Sequence, residues 1–249
     1  GRTRTSRIFL DEPKSVYAEA IRSARTGVLL SGIDLPRRTL LVTSSVPGEG
    51  KTTFAINLAL AHAHTKKTLL IDADMRRPAI SKGLDIPGGA KGLSNFVAGT
   101  VPLKECLLPV EGSTLMLMPS GSVPPNPLEL LLSQRFKETL EHLGQHFEVV
   151  IIDSPPVELV SDALVIATHA DSVIYVVRAE STPYQIARKG LQRLRRAEGK
   201  ILGVVLNRFD VAKAEKYYGD YSGYGKYGYG KDGYQCCYGP SYGEEASKS

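Results

Sequence analysis

The sequence predicts an α/β fold, a mainly parallel sheet with helices on both faces, and two observations carry that prediction. Between residues 15 and 206, short β-branched runs that are apolar throughout alternate with helical patterns, as expected for strands buried on both faces. Polar clusters follow these runs at their carboxyl ends, where an open parallel sheet binds its ligands. A third observation marks off the end of the chain: nine of the twelve tyrosines lie between Tyr217 and Tyr242.

A basic opening, residues 1–14, leads to a helical pattern at Ser15–Leu30. Strands are expected at Thr39–Thr43, Thr68–Ile71, Leu115–Met118, Val149–Ile152, Ser172–Val177 and Ile201–Leu206, each rich in Val, Ile, Leu or Thr. Helices are expected at Thr52–His64, Leu128–Leu143, Ser161–His169 and Gln185–Ala197. The Pro-rich stretch Ser120–Pro127 reads as a loop. From Tyr217 onward there is no Val, Ile, Leu or Phe, and Gly recurs every few residues. A disordered Tyr/Gly-rich C-terminal tail is expected over residues 213–249.

With 249 residues and 42% hydrophobic side chains, the chain fits one globular domain of roughly 210 residues plus a tail. The expected organisation is a basic, juxtamembrane-type segment at 1–14, a globular α/β domain at 15–212 and the tail at 213–249. Formal net charge is +5, while five Lys balance five Asp and Glu in residues 213–249. The surplus therefore belongs to the folded part, and no nucleic-acid partner is expected. Three cysteines, two of them adjacent, form no disulfide framework and fit a reducing cytoplasm. No apolar run reaches the ~20 residues of a membrane span, and no signal peptide is visible. The basic opening GRTRTSR suits the cytoplasmic flank of a membrane segment outside this chain; an ordinary frayed terminus is the alternative.

After the first strand comes Ser44-Ser45-Val46-Pro47-Gly48-Glu49-Gly50-Lys51-Thr52-Thr53, opening into a helix. This is a P-loop. Gly48 and Gly50 let backbone N–H groups converge on phosphate at a helix N-terminus, whose dipole also favours anions. Lys51 would reach the β and γ phosphates, and the Thr52 hydroxyl would ligate Mg²⁺. Ser45 departs from the Gly or Ala usual at its position.

Asp72 and Asp74 follow the second strand in LLIDADMRRP, and Asp153 follows the fourth in VVIIDSPP. Carboxylates beside a triphosphate need Mg²⁺ to neutralise them, or proton work to do. Asp153 has the form of a Walker B aspartate. A pair of helix-capping aspartates is the plainer reading of Asp72 and Asp74. Asn207 and Arg208 end the last strand, where they could meet a base or ribose. Arg76 could stabilise transferred charge or fix an aspartate by an ion pair.

The P-loop, LLIDADMRRP, FEVVIIDSPP, the upstream Glu19-Ala20-Ile21-Arg22-Ser23-Ala24-Arg25 and the tyrosine-rich tail together resemble the bacterial tyrosine kinases, the BY-kinases. The resemblance spans about Ser15 to Tyr242. It implies a fold related to the MinD and ParA ATPases, and transfer of the γ-phosphoryl of ATP, with Mg²⁺, to tyrosines of the chain's own tail. Those acceptors would be Tyr217, Tyr218, Tyr221, Tyr224, Tyr227, Tyr229, Tyr234, Tyr238 and Tyr242. Residues 48–53 would hold phosphates, Thr52, Asp72 and Asp153 the metal, and Asp72 or Asp74 would accept the phenol proton. Lys51 and Arg76 would stabilise the transferred charge, with ADP as product.

For Glu19, Arg22 and Arg25, spacing alone favours intrahelical pairing. The resemblance implies a subunit contact building a homo-oligomeric ring, in which one copy's tail reaches the next copy's site. About 30 flexible residues span an r.m.s. distance near 30 Å. The resemblance also implies regulation of capsular or exopolysaccharide synthesis and export, and a location at the inner face of the inner membrane, tethered by a membrane-spanning adaptor region. A tyrosine phosphatase and further protein substrates complete the implied partners. Two other classes stand beside this one. A MinD/ParA-like ATPase switch would carry a lysine where this P-loop has Val46, and a non-catalytic nucleotide-binding scaffold would use its aromatic tail for association.

Overall fold

The computed structural model describes residues 6–32 and 37–210. The expectations for residues 1–5 and for the tail, including its disorder and all nine candidate acceptor tyrosines, lie outside them. The chain divides after Arg208 into two units, Gly1–Arg208 and Phe209–Ser249. Of the second, only residues 209 and 210 are described; the sheet, the helices and the site all belong to the first.

The strands are β1 (Thr39–Ser44), β2 (Thr68–Asp72), β3 (Leu108–Pro109), β4 (Met116–Met118), β5 (Val149–Asp153), β6 (Ser172–Arg178) and β7 (Ile201–Asn207). They form one sheet in the order β3-β4-β2-β5-β1-β6-β7. Every pairing is parallel except the short β3 edge against β4. The helices are α1 (Ile8–Asp11), α2 (Val16–Ser31), α3 (Lys51–Ala63), α4 (Ile80–Gly83), α5 (Leu93–Val97), α6 (Pro127–Leu132), α7 (Gln134–His146), α8 (Asp162–His169) and α9 (Tyr184–Arg196).

Strand period two sends alternate residues to two separate cores. Leu41, Ile71, Ile152 and Tyr175 face α7, α8 and α9 through Phe136, Leu143, Ile166 and Leu194. Leu40, Val42, Leu70, Ile151 and Val176 face α2 and α3 through Ile21, Phe54 and Leu58. From Phe54 to Ala63 every residue of α3 is buried, because the sheet lies under it while α1 and α2 cover it. A helix apolar all round belongs in such a place. Truncating Leu58, which is fully buried, to Ala would cost about 2–5 kcal/mol.

The structure corrects three details. The helix expected at Leu128–Leu143 is two helices, because Ser133 adopts an extended backbone and caps α7 through its hydroxyl on Phe136 N. The stretch from residue 79 to 114, for which no element was expected, holds α4, α5, a 3₁₀ turn at Leu103–Cys106 and the antiparallel β3. Strand β7 was expected to be buried, yet Val204 and Leu206 are each 53% exposed. It is an edge strand, and its apolar run has a paired neighbour on one side only.

Helix α2 begins where expected, with Ser15 Oγ accepting from Ala18 N at 3.1 Å. Arg22 pairs with Glu19 at 2.9 Å, and Arg25 donates to Ala61 O at the end of α3. Within one copy, the pattern therefore serves its own helix and the α2–α3 contact.

Candidate functional site

The P-loop links β1, in the middle of the sheet, to α3. Gly48 (φ 83°) and Gly50 (φ 90°) take the left-handed backbone that side chains disfavour. At Gly50 there is also no room, since a Cβ would collide with Asn207 Nδ2. Asn207 closes over the loop there, donating to Glu49 O at 2.8 Å. Its amide, expected to meet a base or ribose, has one N–H engaged with the loop. Arg208 beside it lines the cleft from a left-handed backbone of φ 57°.

Glu49 stands in the phosphate loop, but its carboxylate turns away from the cleft and is 1% exposed. It accepts from Val46 N at 2.7 Å, Thr182 Oγ1 at 2.6 Å and Arg178 N at 3.3 Å. It fastens the loop to the turn after β6, so its place in phosphate binding is through the backbone it shapes. Ser45 is also held from below, by the buried Tyr175 hydroxyl at 2.9 Å. Sequence reasoning had no signal for Thr182 or Tyr175, since neither lies near the loop in the chain.

The three candidate aspartates gather because β2 and β5 are neighbours in a register that pairs Asp72 with Asp153. Asp153, fully buried, accepts from Thr52 Oγ1 at 2.6 Å and from Lys51 Nζ at 3.2 Å. Lys51 Nζ also lies 3.6 Å from Asp74 Oδ2. Burial pushes the Asp153 carboxyl up, with Lys51 and Thr52 opposing. Asp72 sits deeper. It accepts from Asp74 N at 3.2 Å, Ala79 N at 3.2 Å and Ile80 N at 3.1 Å, which fixes the turn into α4. Burial, followed by the charge of Asp153, raises its carboxyl to about 7. The plainer capping reading of Asp72 therefore describes its contacts. Of the two, Asp74 lines the cleft and Asp72 stands behind it.

Arg76 forms a two-pronged pair with Asp162 at the start of α8, at 2.9 and 3.1 Å. Of its two expected roles the ion pair is present, with a partner the sequence did not indicate. Its guanidinium still lines the cleft, about 530 Å³ in volume, together with Pro47, Gly48, Gly50, Lys51, Thr52, Thr53, Asp74 and Arg208. Four further lining residues, Pro155, Pro156, Leu159 and Val160, give it an apolar wall.

The donor set suits a small hard cation. Hydroxyl and carboxylate oxygens from Thr52, Asp74 and Asp153 meet where a single ammonium group compensates two carboxylates. Among the described residues, no three or more His, Cys, Asp or Glu side chains form an all-protein metal cage. Mg²⁺ generally keeps water and substrate phosphate as ligands and takes one or two from protein.

A family model described as an AAA domain matches residues 38–205. The chain is 37% identical over 209 residues to the tyrosine-protein kinase CpsD of Streptococcus agalactiae, covering 84% of this chain and 90% of that one. The chain belongs to the bacterial tyrosine kinases. A solved structure of the chimerical protein CapA2B2 superposes on this kinase with a TM-score of 0.79 at 35% identity, over 82% of this chain and 90% of that one. The tyrosine-protein kinase wzc of Salmonella typhimurium is 34% identical over 226 residues, 90% of this chain but 31% of that longer protein. MinD of Pyrococcus horikoshii, solved with Mg-ADP, shares the fold with a TM-score of 0.60 at 23% identity, covering 72% of this chain and 76% of that one. The kinase thus shares its P-loop α/β fold with MinD. Among its described residues no helix is long and apolar enough to cross a membrane.

Proposed function

We propose that this kinase transfers the γ-phosphoryl of ATP to tyrosines of its own C-terminal cluster, Tyr217 to Tyr242, acting between copies in an oligomer. The observation that carries the proposal is the meeting of Lys51 with Asp153 and Asp74, 3.2 and 3.6 Å away, at the mouth of a P-loop cleft. Backbone N–H groups of residues 48–53 hold the phosphates, and Lys51 is released from the carboxylates to follow the transferred group. Thr52 and Asp153 would hold Mg²⁺, which supplies charge neutralisation between the phosphates and the carboxylates.

The phenol oxygen forms a bond to the γ phosphorus as the bond from phosphorus to the β–γ bridging oxygen breaks, giving ADP. The phenol proton passes to the aspartate pair. Asp74 has the access, and Asp72 behind it has the proton affinity, with a carboxyl pushed up to about 7. Such an affinity still falls short of a phenol near ~10. A loose transition state needs little deprotonation before attack, so positioning and charge neutralisation dominate. Arg76, pinned by Asp162, offers a fixed positive charge at the cleft.

Glu19, Arg22 and Arg25 are proposed to contribute to the contact between copies, in a ring that brings one tail to the next site. The chain is proposed to act in capsular or exopolysaccharide synthesis at the inner face of the inner membrane, tethered through a membrane-spanning region. The relative wzc is a longer protein, of which this chain covers 31%, so that protein has room for such a region. A phosphatase would reset the tail, and other protein substrates are compatible with the open cleft. Incubation with ATP and Mg²⁺ followed by mass spectrometry tests the proposal. Phosphotyrosine within residues 217–242 that disappears in Lys51→Met supports it, and phosphate release without phosphotyrosine would sink it.

A further inference from the structure

The sheet order sorts the cleft into two sides. The P-loop leaves β1. On one side β5 and β2 bring Asp153, Asp72 and Asp74, with Arg76 and Arg77 after them, while on the other β7 leads to Arg208 at the cleft. The carboxylates mark the side of the transferred phosphoryl and its acceptor. Residues 155–160 follow Asp153 directly, so the apolar wall of Pro155, Pro156, Leu159 and Val160 stands on that acceptor side.

Leu159 is 59% exposed, and no requirement of the core explains it. Neither is its loop loose. Val157 N and Glu158 N donate to the P-loop carbonyls of Ser44 and Ser45 at 2.9 and 3.2 Å. Glu158 is further held by Lys189 at 2.9 Å, and Arg193 donates to Val157 O. A segment fastened in this way holds its projecting leucine in a fixed place at the cleft; a phosphate chain has no use for it.

We infer that Leu159, with Pro155, Pro156 and Val160, is the seat for the ring of the acceptor tyrosine, and that it makes the site select tyrosine over serine or threonine. The inference rests on the kinase reading and adds the determinant of its substrate class. A tyrosyl side chain has an apolar body and a polar tip. Lying on this wall, its ring is desolvated while its hydroxyl points towards Asp74 on the same side of the cleft. A seryl hydroxyl has no ring to hold it there, and its short reach leaves it far from the γ phosphorus. The sequence offers acceptors suited to such a seat in Tyr224 and Tyr229, each with Gly on both sides and so with little side-chain bulk beside the ring.

The test uses the full chain and a synthetic peptide copying residues 217–229. Peptide phosphorylation is measured against peptide concentration for wild type, Leu159→Ser and Leu159→Met, and Kd for ATP with Mg²⁺ is measured for each. Expected for Leu159→Ser is a KM for peptide about tenfold higher, an unchanged Kd for ATP and a folded protein. Leu159→Met restores the wild-type KM. A wild-type peptide KM in Leu159→Ser overturns the seat while the kinase reading stands. Weaker ATP binding in that variant would give the wall to the nucleotide base and overturn it too. A lowered solution mass with unchanged peptide KM would make the wall a contact between copies, which equally overturns it. Absence of phosphotyrosine from the wild type removes the kinase reading and the seat together.

Discussion

The Tyr175 hydroxyl donates to Ser45 Oγ at 2.9 Å beneath the P-loop, and both residues are fully buried. Ser45 is the position at which this loop departs from the usual Gly or Ala, and the bond accounts for the departure. A Cβ on Gly190 would collide with the same hydroxyl, so α9 is close-packed over it. Removing either partner strands the other polar group, at a cost of about 1–3 kcal/mol, while removing both restores an apolar contact of similar shape. Tyr175→Phe and Ser45→Ala should each lower the unfolding free energy by about that much. The double variant should lose well below the sum of the two. Urea unfolding of the four proteins measures the coupling, and strict additivity would show that the bond contributes nothing.

Glu49 carries a second clamp, three accepted hydrogen bonds on one buried carboxylate. Glu49→Ala leaves Val46 N, Arg178 N and Thr182 Oγ1 without that partner and frees the loop from the turn after β6. The expected result is a loss of about 2–4 kcal/mol in stability and weaker ATP binding by calorimetry. Glu49→Gln keeps the shape and an oxygen for Arg178 N and Thr182 Oγ1, but sets an NH2 against one donor, so it should recover only part of both. ATP affinity untouched in Glu49→Ala would mean that the loop is shaped without the clamp.

Much of the site was legible because the residues that define it follow strands directly. Gly50, Lys51, Thr52, Asp74 and Asp153 all belong to local strings whose position at strand ends follows from apolar runs. The supporting layer was not legible, since Thr182, Tyr175 and Asp162 reach the site only through sheet order and helix packing. The break at Ser133 escaped because the residues on both sides keep the helical period while one serine caps the second helix. The burial of β7 was misjudged because an apolar run does not say whether its strand lies at an edge.

Asp72 makes the stability of the domain depend on pH. Burial and the charge of Asp153 raise its carboxyl from an ordinary 3.8 to about 7 in the fold. Between these values the folded state binds the proton and the unfolded chain does not, so stability falls as pH rises through that window and levels off above it. At about 1.4 kcal/mol per pH unit, the full effect is a few kcal/mol. Asp72→Asn removes the titration. The unfolding free energy of wild type minus that of Asp72→Asn should therefore decline from pH 4 to pH 7. A difference that is constant or increases over this range would contradict the raised carboxyl.

Lys51 is the cation that the carboxylates share, so Lys51→Met should do two separate things. Tail phosphorylation should be abolished, because no group is left to follow the transferred phosphoryl. The nucleotide-free domain should also lose stability, by about 3–5 kcal/mol as an upper range for a buried charge left without its partner. Added Mg²⁺ should recover part of that loss at Asp153 and Thr52. Thermal unfolding with and without Mg²⁺ checks this, and an identical Mg²⁺ response in wild type and variant would argue against a shared position for ammonium and metal.

Phosphorylation should also control assembly. Residues 213–249 carry five Lys and five Asp or Glu, so the unmodified tail is electrically neutral. Each phosphotyrosine adds about −1.5 to −2, and several of the nine would make neighbouring tails repel within a ring. Light scattering of unphosphorylated and heavily phosphorylated chains should give a larger mass for the first, with the gap narrowing as salt shortens the range of repulsion. Equal masses at low salt would remove charge repulsion as the switch and leave the tail as substrate alone.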